Sequence, residues 1–380
     1  MGEGTPLGEV ELAALRGGLA PSTNTARDLA ATAQTPCPRR RALAVVGART
    51  EDAAARLPGP AAPSGQSPFA ITVGTRFEEI LRRDGAARLR EALERAVPVE
   101  LGELELIDLD ARHPWRPGVP RPETAAARRS ATDALVAACL RGEAEADRLV
   151  LHPRLALTVT DTARDVEPDA LLCLRAGRGA QPELLLVEIK AFVDHGHRTD
   201  THDLASTRLQ LAVYALAVRQ QLARLELEPQ PMREAVVVLR APGSMVGSAS
   251  LEEVHRDVSR LERALARAPA TLSEVLATLP EGAALDDSAT LSALPVRYRP
   301  HYCLASCAMA LQCRAGVEEA ASPEYYGSPT REVFAAIGDL RRAHGLVTGS
   351  EASETEEERE LVARLGVLRR RIDDARRRCS

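Results

Sequence analysis

Apolar residues recur at helical spacing in some stretches of this chain and run unbroken through others. The alternation of the two predicts an α/β fold. Phe77, Ile80, Leu81, Leu89 and Leu93 mark a helix over Thr75–Ala96, and a second fits Thr124–Glu145. Three strands are then predicted, over Leu149–Val159, Asp169–Leu174 and Glu183–Phe192, with Gly177 and Gly179 in the turn before the third. A long helix fits Leu204–Leu225. Ala235–Leu239 is a short continuous apolar run of the kind buried on both faces of a sheet. Further helices fit 251–267 and 271–278. Residues 57–68 and 110–123, rich in proline and in the first case glycine, predict loops. The first 28 residues read as loose. From Glu351 the tail turns helical, acidic at its start and basic at its end, in keeping with a helix dipole. Its Leu361, Leu365, Leu368 and Ile372 form a short seam for packing on its own domain or for self-association.

Composition narrows the functional classes. With 380 residues, 27% charged and 45% apolar, the chain has the make-up of a globular protein able to bury a full core. A net charge of −5 excludes a globally basic nucleic-acid binder, so any such surface is a local patch of arginine. There is no run long enough for a membrane span and no signal-peptide pattern, which leads to the expectation of a cytoplasmic protein.

Within this arginine-rich chain Lys190 is the sole lysine. A buried lysine can shift its pKa and act on a water or a substrate, whereas arginine stays a fixed cation. Lys190 ends an apolar strand, and Glu188, two residues earlier, shares its face. Asp169, after Glu167 and Pro168, opens the preceding strand. Two carboxylates from adjacent strands and the carbonyl of Ile189 make an oxygen cradle for Mg²⁺ or Mn²⁺, with Lys190 placed to orient the attacking water. On the following helix Gln210 and Tyr214, one turn apart, share a face near the phosphate backbone or the active strand, and Arg208 lies close by in sequence.

Asp169, then Glu188-Ile189-Lys190, then Gln210-x-x-x-Tyr214 resembles the PD-(D/E)xK nuclease superfamily, in particular its RecB-type branch, over about residues 30–315. The resemblance implies a restriction-endonuclease-like core of helix, three strands, helix and strand with added helices. It implies metal on Asp169 and Glu188, and catalysis by Lys190 with Gln210 and Tyr214 beside the site. The family's metal-binding histidine in the first helix is replaced at the matching position by Glu78, itself able to ligate Mg²⁺. The domain reading is a loose segment 1–28, a nuclease domain 29–345 and a helical tail 346–380.

Of seven cysteines, three crowd into Cys303-x3-Cys307-x5-Cys313, and Cys37, in Pro36-Cys37-Pro38-Arg39, is the best fourth ligand. The set resembles the four-cysteine [4Fe-4S] clasp of the CRISPR-associated and AddB-type members of that branch, which joins the N- and C-terminal parts of the nuclease domain. Structural Zn²⁺ suits the same four thiolates, and ordinary buried cysteines remain an alternative. Cys139 and Cys173 read as core, Cys379 as exposed. His195, His197 and His202 read as a solvated loop or a substrate contact. Arg39, Arg40, Arg41, Arg297 and Arg299 read as a basic rim for DNA or as solvated surface.

The function expected is that of a metal-dependent DNA nuclease acting on single-stranded DNA or single-stranded ends in recombination, repair or defence. The alternatives are an inactive DNA-binding module of the same fold or a nuclease acting on RNA. No P-loop is present, so duplex unwinding would need a helicase partner.

Overall fold

The computed structural model describes residues 9–21, 37–62, 68–97, 104–110, 122–159, 162–175, 181–194, 201–228, 234–241, 243–267, 279–326 and 328–379, with positions 26, 29, 30, 101 and 277 besides. The chain forms two compact units. One comprises residues 1–8, 21–34 and 65–274, the other 9–20, 35–64 and 275–380.

The first unit is built on a six-stranded mixed sheet. Its strands fall among β1 (Leu104–Asp108), β2 (Asp147–Leu151), β3 (Leu155–Val159), β4 (Thr162–Val166), β5 (Ala170–Leu174), β6 (Glu183–Val193), β7 (Glu234–Arg240) and β8 (Gly247–Glu253). The spatial order is β1-β2-β5-β6-β7-β8, and β3 pairs with β4 apart from it. β5 and β6 are antiparallel, Ala170 opposite Val187. β6 and β7 are parallel, and the helix Thr201–Arg224 crosses between them, as a parallel pair requires. Leu184 and Leu186 face the cluster that includes Leu209, Val213 and Tyr214 of that helix. Leu185, Val187 and Ile189 face Phe77, Leu81, Leu89 and Leu93 of the helix Pro68–Ala96. A strand buried on both faces needs an unbroken apolar run, and this one reads Leu184–Val187.

Several elements differ from the sequence reading. The strand expected over 149–159 is two strands in different sheets, because His152 (φ +50°) and Pro153 turn the chain between them. The first helix begins at Pro68, not Thr75, and leaves helical geometry at residues 83–86, with positive φ at Asp84, Gly85 and Ala86. The helix expected from 251 starts at His255, and residues 247–253 pair with β7 as β8 instead. Glu9–Arg16 is helical within the segment expected to be loose. The helix expected over 271–278 lies outside the described residues, apart from position 277.

The second unit is helical and draws on both ends of the sequence. Gln312 Nε2 donates to the carbonyls of Ala54 (2.8 Å), Leu57 (3.3 Å) and Gly59 (3.2 Å). The Ala62 N–H donates to the Ala308 carbonyl at 2.7 Å, and the Leu285 N–H to the Leu15 carbonyl at 2.8 Å. The tail helix runs over Glu356–Cys379; Leu361 is buried, while Leu368 is half exposed. Among the described residues no helix is long and apolar enough to cross a membrane.

Candidate metal and catalytic site

The antiparallel register of β5 and β6 brings Asp169 beside Glu188. Asp169 Oδ2 accepts the Ile189 N–H at 2.6 Å, which fixes that carboxylate. Lys190 Nζ donates to Glu188 Oε1, as side chains two apart on one strand can. Glu188 is 1% exposed, and its other oxygen, Oε2, is buried with no hydrogen-bond partner. Burial first, and then the neighbouring Asp169 carboxylate, pushes Glu188 up to about 8. Burial by itself would lower the Lys190 ammonium, but the carboxylates of Glu188, Asp169 and Glu78 outweigh it and the net direction is upward. Lys190 is therefore a firmly held cation.

Glu78 comes from the helix Pro68–Ala96. Burial and the Asp169 charge raise its pKa, against the opposing cations Arg82 and Lys190. It pairs with Arg82 one turn on. Tyr214, from the helix Thr201–Arg224, is buried and accepts a hydrogen bond from Gln210 Nε2 at 2.9 Å. Burial and the charges of Glu188 and Asp169 keep its hydroxyl protonated. Asp169, Glu188, Lys190, Glu78 and Tyr214 thus act on one another electrostatically, with Gln210 bonded to Tyr214. Arg208 does not join them: it reaches Glu252 (3.4 Å) and Asp257 (3.9 Å) instead. His195 and His197 lie outside the described residues.

Sequence reasoning missed His152. It follows β2; its N–H donates to the Asp169 carbonyl at 3.1 Å, and its Nδ1 pairs with Asp108 Oδ1 at 2.8 Å. Its carbonyl accepts from Arg128 Nη2 at 2.7 Å. The signal in the sequence was a histidine directly before Pro153, at the end of an apolar run. The run Leu149–Val159 reads as one strand in sequence, and that hides the turn at His152.

In the second unit Cys37, Cys303, Cys307 and Cys313 line one small cavity together with Arg39, Arg40, Val296, Arg297, Met309 and Ala310. Cys37 precedes the helix Pro38–Val45, Cys303 lies in Pro300–Ser306, Cys307 ends that helix, and Cys313 lies in Ala310–Ala320. None of the four is in a disulfide. Burial pushes the Cys307 thiol up to about 12 and the Cys313 thiol to about 11, and raises Cys303 as well. Without a metal these thiols are therefore neutral. Among the described residues no group of three or more His, Cys, Asp or Glu stands in ready metal-binding geometry, at either place. The chemistry of the donors nonetheless fits: four thiols around one cavity for a thiophilic metal, and a buried orphan carboxylate oxygen beside Asp169 for a hard divalent cation. Cys139 and Cys173 are buried in the sheet unit's core, Cys139 Sγ donating to the Leu174 carbonyl at 3.4 Å.

Arg39 and Arg40 do not form a solvated rim. They are 7% and 8% exposed and turn inward beside the thiols.

No family model matches the chain, and no curated protein does. A solved structure, "Crystal structure of SSO0001", is similar at 13% identity with a TM-score of 0.20, over 38% of this chain and 60% of that one. A likeness at that level carries no argument about fold or function.

Proposed function

We propose that the chain is a metal-dependent nuclease of the PD-(D/E)xK type, hydrolysing phosphodiester bonds of DNA with single-stranded character. The observation that supports it best is the group Asp169–Glu188–Lys190, in which a buried carboxylate oxygen of Glu188 has no protein partner. A buried acceptor left unsatisfied costs about 1–3 kcal/mol, a cost that a cation at this oxygen would offset. Asp169 and Glu188 would hold Mg²⁺ or Mn²⁺, with the Ile189 carbonyl and Glu78 as further donors. When bound, such an ion polarises the phosphate and lowers the pKa of a coordinated water.

The protein's own side chains do the rest. Asp169 is oriented by the Ile189 N–H, which accounts for one of its carboxylate oxygens. Lys190, kept charged by the acidic groups around it, neutralises charge developing on the phosphate and directs the attacking water. Tyr214 keeps its proton and offers a neutral hydroxyl, oriented by Gln210. Cys37, Cys303, Cys307 and Cys313 would hold a [4Fe-4S] cluster or, with the same ligands, structural Zn²⁺.

The test is cleavage of single-stranded DNA, double-stranded DNA and RNA with Mg²⁺ and with Mn²⁺. DNA cleavage that requires the metal and disappears in Asp169→Ala and Glu188→Ala is expected. DNA binding without cleavage under any metal would favour a non-enzymatic module, and cleavage confined to RNA would reassign the substrate.

A further inference from the structure

We propose that Arg39 and Arg40 are the countercharges of the four-cysteine centre, and that metal retention there depends on both. This rests on reading Cys37, Cys303, Cys307 and Cys313 as a tetrathiolate site. The two arginines are nine-tenths buried, a rare state for a guanidinium without an anionic partner. Arg39 Nη1 donates to Cys313 Sγ at 3.3 Å, and its Nη2 donates to the carbonyls of Ser292 (3.0 Å) and Leu294 (3.1 Å). Its Nε is buried with no partner. Arg40 Nη1 donates to Ser306 Oγ at 2.8 Å. Among the described residues neither arginine makes an ion pair with a carboxylate. Both line the cavity that the four sulfurs line.

Charge balance identifies the missing anion. The two buried guanidiniums have no carboxylate countercharge among the described residues. Four thiolates around Zn²⁺, or around an oxidised [4Fe-4S] cluster, carry two net negative charges, which two guanidiniums cancel. Arg40 acts electrostatically on Cys303 and Cys307, and Arg39 on Cys313, in each case favouring the thiolate. Arg299 acts on Cys303 in the same sense. In the Cys37-Pro38-Arg39-Arg40 order, one short helix delivers a ligand at its start and both counterions within its first turn.

The experiment compares wild type with Arg39→Gln, Arg40→Gln, Arg39→Lys and Arg41→Gln, all purified without oxygen. Iron, sulfide and zinc per chain, visible absorption, and the rate of metal release to a chelator are measured. Arg39→Gln and Arg40→Gln should each release metal at least about tenfold faster, the scale of a lost partner beside a metal ligand. Arg39→Lys, which keeps the charge, should fall between, and Arg41→Gln should match wild type. If the metal is an iron-sulfur cluster, its reduction potential should fall in both Gln variants, since removing a nearby cation disfavours the more negative reduced state. In metal-free protein the sign reverses: Arg40→Gln should be at least as stable as wild type, because it removes an uncompensated buried charge. A merely structural arginine would lower stability in both states. Wild-type metal content and release in both Gln variants would overturn the proposal while leaving the centre standing. Wild-type protein that binds neither metal would overturn the centre and the countercharge role together. If Arg39→Gln does not fold, Arg40→Gln and Arg39→Lys carry the same comparison.

Discussion

Lys190 is held by Glu188, and the acidic groups Glu188, Asp169 and Glu78 push its pKa upward. Lys190→Ala should reduce DNA cleavage on the order of a hundredfold to ten-thousandfold, the range for a group acting on a transferred proton or developing charge. DNA affinity should stay near wild type. Lys190→Arg should be nearly as inactive, since a planar fork does not replace a compact ammonium. Wild-type turnover in Lys190→Arg would show that only a positive charge is needed there. Glu188 makes a separate prediction through pH. Its folded pKa, about 8, lies above its ordinary 4.5. Between those values the folded chain keeps a proton that the unfolded chain has released. Stability of the metal-free protein therefore falls as pH rises through this window, and the penalty is complete above about pH 8. Glu188→Gln cannot ionise, so its melting temperature relative to wild type should rise between pH 5 and pH 9 in chelator. A shift of the opposite sign would mean that the ionised carboxylate is favoured in the fold.

At the scale of the element, one helix supports the strand that carries Glu188 and Lys190. Thr201–Arg224 buries Leu209, Val213 and Tyr214 against the sheet and places the Tyr214 hydroxyl where the charges of Asp169 and Glu188 are felt. Tyr214→Phe keeps the packing and removes the hydrogen bond from Gln210. Its stability cost should stay within about 1.5 kcal/mol. If the hydroxyl contacts the reacting groups, kcat should fall about tenfold at unchanged KM, equivalent to roughly 1.4 kcal/mol of barrier. Equal kcat in steady-state assays would reduce Tyr214 to a packing residue. This element was legible in the sequence, because the apolar-rich run over Leu204–Leu225 is far too long for a strand. Strands β5, β6 and β7 were legible as continuous apolar runs. β1 and β8 were not: Leu104–Asp108 and Gly247–Glu253 are short, partly exposed and mixed in character, and pairing with neighbours decides their state. The kink at 83–86 was hidden too, since Leu81 and Leu89 keep a helical rhythm across it. The inward turn of Arg39 and Arg40 could not be read from charge alone, because a buried and a solvated arginine look the same in a sequence.

At the scale of the molecule, the chain leaves the helical unit at about residue 64, builds the sheet unit, and returns at about residue 275. Cys37 and the three later cysteines belong to the same unit, so a metal there would tie together two segments that the backbone connects through the long excursion into the sheet unit. Cross-linking ends so far apart in sequence removes several kcal/mol of chain entropy from the unfolded state, by analogy with a disulfide closing a long loop. The two carboxylate-bearing strands draw their stability from elsewhere: the clusters around Leu171, Leu186 and Val213 and around Leu172, Val187 and Leu81 involve no cysteine ligand. Metal removal should therefore act unevenly. After anaerobic chelation, hydrogen-exchange protection should fall sharply in Pro38–Val45, Pro300–Ser306 and Ala310–Ala320. Ala170–Leu174, Glu183–Val193 and Glu234–Arg240 should keep most of theirs, as regions of separate local stability do. Cys37→Ser should reproduce this pattern without chelator. Uniform loss across all six segments would mean that the two units unfold as one cooperative body, and the centre would then stabilise the catalytic strands as much as its own helices.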